Sequence, residues 1–255
     1  MPDAPDRKDH PHPWRAAGRH PAHGEHAWGA PWRFGVDRYA ELQVASNFTF
    51  LTGASHADEL VTRAAELGLH AVAIADRHSL AGIVRAHVAA KEAGIQLIVG
   101  AMLTFTDSAC CAWVYPTDLA SYGGLCRLLT LGKRRAAKGQ CHLTLHDLQQ
   151  HHHGLLAIVS PPEVGPPQVG PSQIGSSQGM DHDVVGQIRE LAGTFDADRL
   201  SIAMTRRFGV DDAAELRRIA ELADHLALPL VATNDVRYHH PDRRMLADVL
   251  TCIRE

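Results

Sequence analysis

Between Tyr39 and Glu255 the apolar positions follow two alternating rhythms. Short apolar runs at 41–46 (ELQVAS), 70–75 (HAVAIA), 95–99 (IQLIV), 112–115, 155–159 (LLAIV), 200–204 and 228–232 have the length and branched-aliphatic content of buried strands. Stretches with helical spacing follow or separate them. Ser55 is placed as an N-cap, with Asp58 and Glu59 in the first turn. Leu60, Val61, Ala64, Ala65 and Leu67 form the apolar stripe of that helix, and Gly68 stops it. A second helix is expected over 79–93, ended by Gly94, and others over 119–131, 145–150, 184–191, 213–226 and 243–253. Strands alternating with helices at this spacing predict an α/β fold of parallel β/α units. About seven such units, each of roughly 30 residues, fit a closed or nearly closed barrel better than an open sheet.

Two segments break the rhythm. Residues 1–38 are rich in Pro, His, Arg and Gly, lack any period, and hold three of the four tryptophans, Trp14, Trp28 and Trp32. A disordered arm is expected there, with an aromatic end able to dock on the folded body. Residues 161–183 begin PPEVGPPQVGPSQIGSSQG, with a five-residue repeat and no apolar face, and are expected to form a flexible surface insertion. In a barrel that loop would lie at the C-terminal face, where functional groups converge.

Composition narrows the class. The net charge of −4 and 45% hydrophobic content describe a globular chain, and argue against the whole being a strongly basic nucleic-acid binder. No run approaches the roughly 20 apolar residues of a membrane helix, and the N-terminus lacks a signal-peptide core, so a cytoplasmic location is expected. The five cysteines contain no C-x-x-C and are odd in number, so neither a zinc knuckle nor a disulfide framework is indicated. Cys110 and Cys111 read as small buried hydrophobes. The 18 histidines invite a metal, but in the arm nothing fixes ligand geometry, and a solvated tail is the plainer reading.

The most specific stretch is YAELQVASNFTFLTGASHADELVTRAAELGLHAVAIADRHSLAGIVRAH, at 39–87. With PLVATNDVRYHHPDRRMLADVLTCIRE at the C-terminus, SYGGLCRLLTLGKRRAAKG at 121–139 and IQLIVGA ahead of Met102, it resembles the PHP (polymerase and histidinol phosphatase) domain that opens bacterial C-family DNA polymerases. It looks most similar to the error-prone branch, the polymerase III alpha-like enzymes of damage-induced translesion synthesis. The resemblance spans 39–255 apart from the repeat segment. It implies a PHP-type distorted (β/α)7 barrel, TIM-like, with the arm at 1–38.

In that family the barrel end carries a multinuclear metal centre, with divalent ions about 3.5–4 Å apart activating a hydroxide against a phosphate ester. This chain departs from the pattern at most of its positions. The first strand's His-x-His falls on Gln43 and Ala45. The second strand's Asp-His falls on Asp76 and Arg77, with His78 one place late. The third strand's Glu falls on Met102, a downstream Cys or His falls near Pro162, and the final Asn-Asp-x-His becomes Asn234, Asp235, Val236, Arg237. Asp76 and Asp235 therefore remain as remnant ligands, able at most to hold a hydrated Mg²⁺ weakly. Asp76 is expected to pair with Arg77 or Arg237, and Asp235 likewise, a guanidinium standing in for the cation. A plainer role for Asp235 is to cap the following turn. His78, His239 and His240 could restore a partial site only by a register shift.

Lys133, Arg134, Arg135 and Lys138 form a basic run that could touch a nucleic-acid backbone or an acidic neighbouring domain, or simply solvate a helix C-terminus. The triplet 151–153 is expected to be a surface histidine cluster. No nucleophile triad can be picked out by spacing, and Gly132-Lys133 is followed by Arg134, not the Ser or Thr of a phosphate-binding loop.

The resemblance implies the N-terminal part of an error-prone DNA polymerase, whose nucleotidyl transfer uses Mg²⁺ held by palm-domain carboxylates. The chain ends ahead of any palm, so a fragment or truncated product is expected, with no catalytic residues or firm cofactor of its own. The implied partners are the polymerase body, DNA, mutagenesis accessory proteins and the sliding clamp. Two alternatives stand beside this expectation: an active metal-dependent phosphoesterase or 3′→5′ exonuclease, and a free-standing interaction module.

Overall fold

A computed structural model describes residues 39–161, 182–196, 198–209 and 211–254, so the arm at 1–38 and nearly all of the repeat segment lie outside the described residues. The strands are β1 (Ala40–Glu41), β2 (Ala71–Arg77), β3 (Gln96–Thr104), β4 (Cys111–Pro116), β5 (Leu155–Ser160), β6 (Leu200–Thr205) and β7 (Leu230–Thr233). They pair in sequence order in one sheet. Beyond β1 and β7, Val44 bridges Val236 in parallel: the Val236 N–H donates to the Gln43 carbonyl at 2.8 Å, and the Ala45 N–H to the Val236 carbonyl at 2.9 Å. These bonds bring the two edges of the sheet together, and the seven strands form a nearly closed barrel.

The helices are α1 (Ala57–Glu66), α2 (Ile83–Ala93), α3 (Leu119–Arg135), α4 (Leu145–Gln150), α5 (His182–Thr194), α6 (Asp212–Leu226) and α7 (Arg244–Arg254). None of the described helices is long and apolar enough to cross a membrane. Period-two alternation along the strands sorts residues between the outer and inner faces of the barrel. Val72 and Ile74 of β2 pack outward on α1 and α2, with Leu60, Val61 and Ala86. Ala157 and Val159 of β5 face a larger outer cluster with Leu125, Leu128, Ile188 and Leu222, which also takes in Cys110. Ala73, Ala75, Trp113, Tyr115, Ile158 and Ala203 point the other way and fill the barrel. Space for the Tyr115 ring comes from Gly100, where an added Cβ would lie 2.7 Å from ring carbons. The ring's hydroxyl donates to the Leu42 carbonyl at 2.7 Å, so the interior is packed rather than hollow.

Several expected boundaries move, each for a local reason. The first strand is only two residues long, because the Gln43 N–H turns back to the Glu41 carboxylate at 3.0 Å. α1 is capped at His56 rather than Ser55: the His56 N–H donates to Glu59 Oε2 at 2.8 Å, while the Ser55 hydroxyl is taken by His239, ring and backbone. α2 begins at Ile83, four residues later than expected. The expectation of uniformly parallel units fails at β4, which is antiparallel to both β3 and β5. The connection at 105–110 is too short for the dozen or more residues a parallel crossover needs, so a reversal is forced.

Leu128 is fully buried in the outer core, whereas Val84 is 76% exposed. Leu128→Ala is expected to lower stability by about 2–5 kcal/mol in urea unfolding. Val84→Ala should stay within about 0.5 kcal/mol of the parent.

Candidate functional site at the barrel mouth

The C-terminal ends of the parallel strands define the mouth. Alternation places Arg77 on the side of Ala73 and Ala75, Thr205 on the side of Ala203, and Thr233 on the side of Val231, all facing the interior. Arg77 stands opposite Met102, and Thr205 opposite Thr233. The Thr233 hydroxyl donates to Gln43 Oε1 at 2.7 Å, and the Thr205 and Thr233 hydroxyls lie 2.9 Å apart. With Thr233 committed as a donor to Gln43, Thr205 donates to Thr233, which completes a three-residue ladder. Gln43 is 2% exposed, and its Nε2 has no hydrogen-bond partner among the described residues. Ala45 contributes only its backbone to the closure. Met102, half-buried, packs against the interior core and accepts the His78 N–H through its carbonyl at 2.9 Å.

Asp76 points away from this ladder, on the side of Val72 and Ile74 toward the start of α2. A Cβ on Gly82, the residue before α2, would lie 3.1 Å from Asp76 Oδ2. Asp76 is 1% exposed. Its Oδ1 accepts the Ser46 N–H and the Thr49 hydroxyl, and its Oδ2 the Ser46 hydroxyl, each at 2.7 Å. Thr49 Oγ1 in turn accepts the Arg77 N–H at 3.0 Å. The expected Asp76–Arg pair is therefore replaced by hydroxyl and amide donors, and the Arg77 side chain is exposed. Burial raises the Asp76 pKa above its ordinary value, and the bonds from Ser46 and Thr49 only partly oppose this. The carboxylate fastens the loop after β1 onto the end of β2.

Asp235 does meet a guanidinium: Arg237 Nη2 lies 2.8 Å from its Oδ2. Asp235 sits at a φ of 48°, a left-handed position that Asp tolerates better than most residues. Beside it, the buried Glu41 carboxylate accepts the Asn234 N–H, the Asn234 side-chain amide at 2.8 Å and the Tyr39 hydroxyl at 2.7 Å. The three histidines named as possible rescuers have other work. His78 Nε2 accepts the Thr104 N–H at 2.9 Å, and burial lowers the pKa of the ring. His239 Nδ1 contacts the Ser55 hydroxyl at 2.8 Å, and His240 Nδ1 faces Asp242 at 3.1 Å. Among the described residues no group of three His, Cys, Asp or Glu side chains converges as a metal-binding set. The position matched to Pro162 lies outside the described residues.

The basic run divides. Arg135 pairs with Asp147 at 2.6 Å and ties α3 to the start of α4, whereas Lys133, Arg134 and Lys138 are exposed. Burial pushes Asp147 upward, but the Thr144 N–H, the Arg135 guanidinium and the Thr144 hydroxyl outweigh it and hold the carboxyl below its usual range. His151 and His152 close the end of α4, with Nδ1 atoms 2.9 and 2.6 Å from the Asp147 and Gln149 carbonyls. A cavity of about 460 Å³, lined by Asp118, Ser121, Arg127, His151 and His153, opens between the start of α3 and the turn before β5. Because β4 runs antiparallel, that cavity lies at the barrel end away from the mouth. Sequence reasoning missed Ser46, Thr49, Thr205 and Thr233. The hydroxyls of SNFT were the available signal, since a buried carboxylate needs nearby donors.

An acid with a raised folded-state pKa is bound to more protons in the native chain than in the unfolded one. Its contribution is fully present below the unfolded value of 3.8 and is lost as pH rises through the higher folded value. The stability of the parent relative to Asp76→Asn should therefore grow as urea midpoints are measured from pH 7 down toward pH 4. Asp76→Ala should destabilise at every pH, by about 1–3 kcal/mol for each of the buried donors it orphans.

Comparison with known proteins agrees with this architecture. The PHP domain family matches residues 41–207. An error-prone DNA polymerase from Caulobacter vibrioides is 43% identical over 217 residues, and one from Brucella abortus is 44% identical over 221 residues. Each alignment covers 85% of this chain but only 19% of the relative, so the chain spans about a fifth of these relatives' length. A Bifidobacterium adolescentis protein described as a metal-dependent phosphoesterase superposes with a TM-score of 0.54 at 14% identity, covering 83% of this chain and 96% of its own. A family match across most of the folded body, on a nearly closed seven-strand barrel, makes the chain a member of the PHP domain family.

Proposed function

We propose that this chain is the PHP domain of an error-prone DNA polymerase acting in damage-induced translesion synthesis, and that it serves the polymerase as a scaffold without a metal centre of its own. The observation that carries the second half is the donor set at the mouth. Multinuclear hydrolytic sites need carboxylates and imidazoles that converge on the ions. Gln43 instead has a buried Nε2 without a hydrogen-bond partner among the described residues, a donor that repels a cation. Arg77 brings a fixed positive charge, Met102 a weak thioether, and the Thr205 and Thr233 hydroxyls are engaged within the ladder. Asp76 already accepts three hydrogen bonds from Ser46 and Thr49, and Asp235 is paired with Arg237. These residues do not fit a divalent-cation centre, and no hydrolytic step is assigned to them.

The first half rests on the similarity to error-prone polymerases across 85% of the chain. On this reading, nucleotidyl transfer belongs to a palm domain outside these residues, where carboxylate-held Mg²⁺ supplies the chemistry. The polymerase body and DNA are the partners, with mutagenesis accessory proteins and the sliding clamp as further ones, in the cytoplasm. Exposed Lys133, Arg134 and Lys138 offer a basic edge to a phosphate backbone or an acidic neighbouring domain.

The test is hydrolysis of a phosphomonoester and of single-stranded DNA from its 3′ end, with Mn²⁺, Zn²⁺ or Mg²⁺ added. Rates equal to the metal-free control, and unchanged by Asp235→Asn, are expected. Metal-dependent hydrolysis abolished by Asp76→Asn and by Asp235→Asn would instead establish a phosphoesterase or exonuclease.

A further inference from the structure

α7 is an amphipathic helix with no buried residue. Leu246 and Leu250 line a groove of about 260 Å³ against Phe50, Leu51, Gly53 and Ala54. The i, i+4, i+8 stripe of Met245, Val249 and Ile253 stays in the open, with Met245 78% and Ile253 62% exposed, and Phe50 on the neighbouring loop is 74% exposed. Polar ties hold the helix in place: Arg243 to Glu59 at 2.6 Å, just ahead of it, and Arg254 to the Thr52 hydroxyl at 3.3 Å at its end. Single exposed apolar residues are ordinary, but a stripe on one helix beside an exposed aromatic ring marks an interaction surface.

Resting on the polymerase reading above, we propose that Met245, Val249, Ile253 and Phe50 form the docking surface for the polymerase body that shares a polypeptide with this domain in its relatives. Two observations choose that occupant. The matched relatives are about five times as long as the aligned region, so there the domain belongs to a much larger polypeptide. The surface is also narrow, since an eleven-residue helix is only about 16 Å long. One such helix face falls short of the roughly 1,200–2,000 Å² that a stable complex of separate chains buries. A covalently attached partner meets the face at an effective concentration near millimolar, so a small apolar contact suffices.

The experiment grafts this chain in place of the 217 matched residues of the Caulobacter vibrioides polymerase and compares amide hydrogen exchange in α7 between the chimera and the chain alone. Protection of the α7 amides at least about tenfold greater in the chimera is expected. The Val249→Asp, Ile253→Asp double variant should remove that protection and lower the chimera's melting temperature, yet leave the melting temperature of the chain alone unchanged. Equal exchange in both, in a chimera that still extends a primer, would overturn the surface and leave the polymerase reading standing. A chimera unable to extend a primer, built from a chain that folds alone, would count against the polymerase reading and the surface with it. Sedimentation of the chain alone as a dimer that the double variant dissociates would assign the face to a second copy and overturn the proposal.

Discussion

A carboxylate taken out of water must be compensated, and at Asp76 the compensation comes from donors rather than cations. Three hydrogen bonds from Ser46 and Thr49 draw the loop after β1 onto the end of β2. That loop runs directly into α1, and its Ala54 N–H reaches the Arg237 carbonyl at 2.8 Å beyond β7. The same few residues thus locate the first helix, the second strand and the seam of the barrel. Removing the side chain would orphan these donors in the joint between them, which is a structural reason for an aspartate here.

Across the strand, the inward side of the mouth follows a different logic. Gln43, Thr233 and Thr205 pass a single direction of hydrogen bonding from β6 through β7 to the residues after β1. Such a ladder ties the last strand to the residues after the first at the mouth of the barrel. The Val44–Val236 bridge does the same through the backbone, and the Glu41–Asn234–Tyr39 network does so through a buried carboxylate. Closure of the barrel is carried by polar groups bonded to one another, Gln43 Nε2 excepted, and this leaves the mouth poor in free donors of electron pairs.

The sequence announces the architecture well because strand and helix periods are local. The run 155–159 and the helices at 145–150 and 213–226 lie within a residue or two of their observed bounds. The direction of β4 was hidden because the run expected at 95–99 ends well before β3 does; only the extension of β3 to Thr104 shortens the connection to 105–110, too short for a parallel crossover. Side-chain partners were less legible, because they depend on which face of a strand a residue takes. Asp76 and Arg77 are neighbours in sequence and so face opposite sides of β2, which is why the expected pairing between them does not form. Asp235 and Arg237, two apart on an irregular segment, do meet. The donors to Asp76 come from Ser46 and Thr49, and the ladder on Gln43 from Thr205 and Thr233, residues whose roles only the three-dimensional register reveals.

We propose that hydrogen bonds and guanidinium groups at the mouth of this barrel exclude divalent cations. Anomalous scattering from crystals of the chain soaked in Mn²⁺ tests it most directly. No anomalous peak within bonding distance of Gln43, Asp76 or Asp235 is predicted, whereas two or more Mn²⁺ ions touching both aspartates would contradict the account.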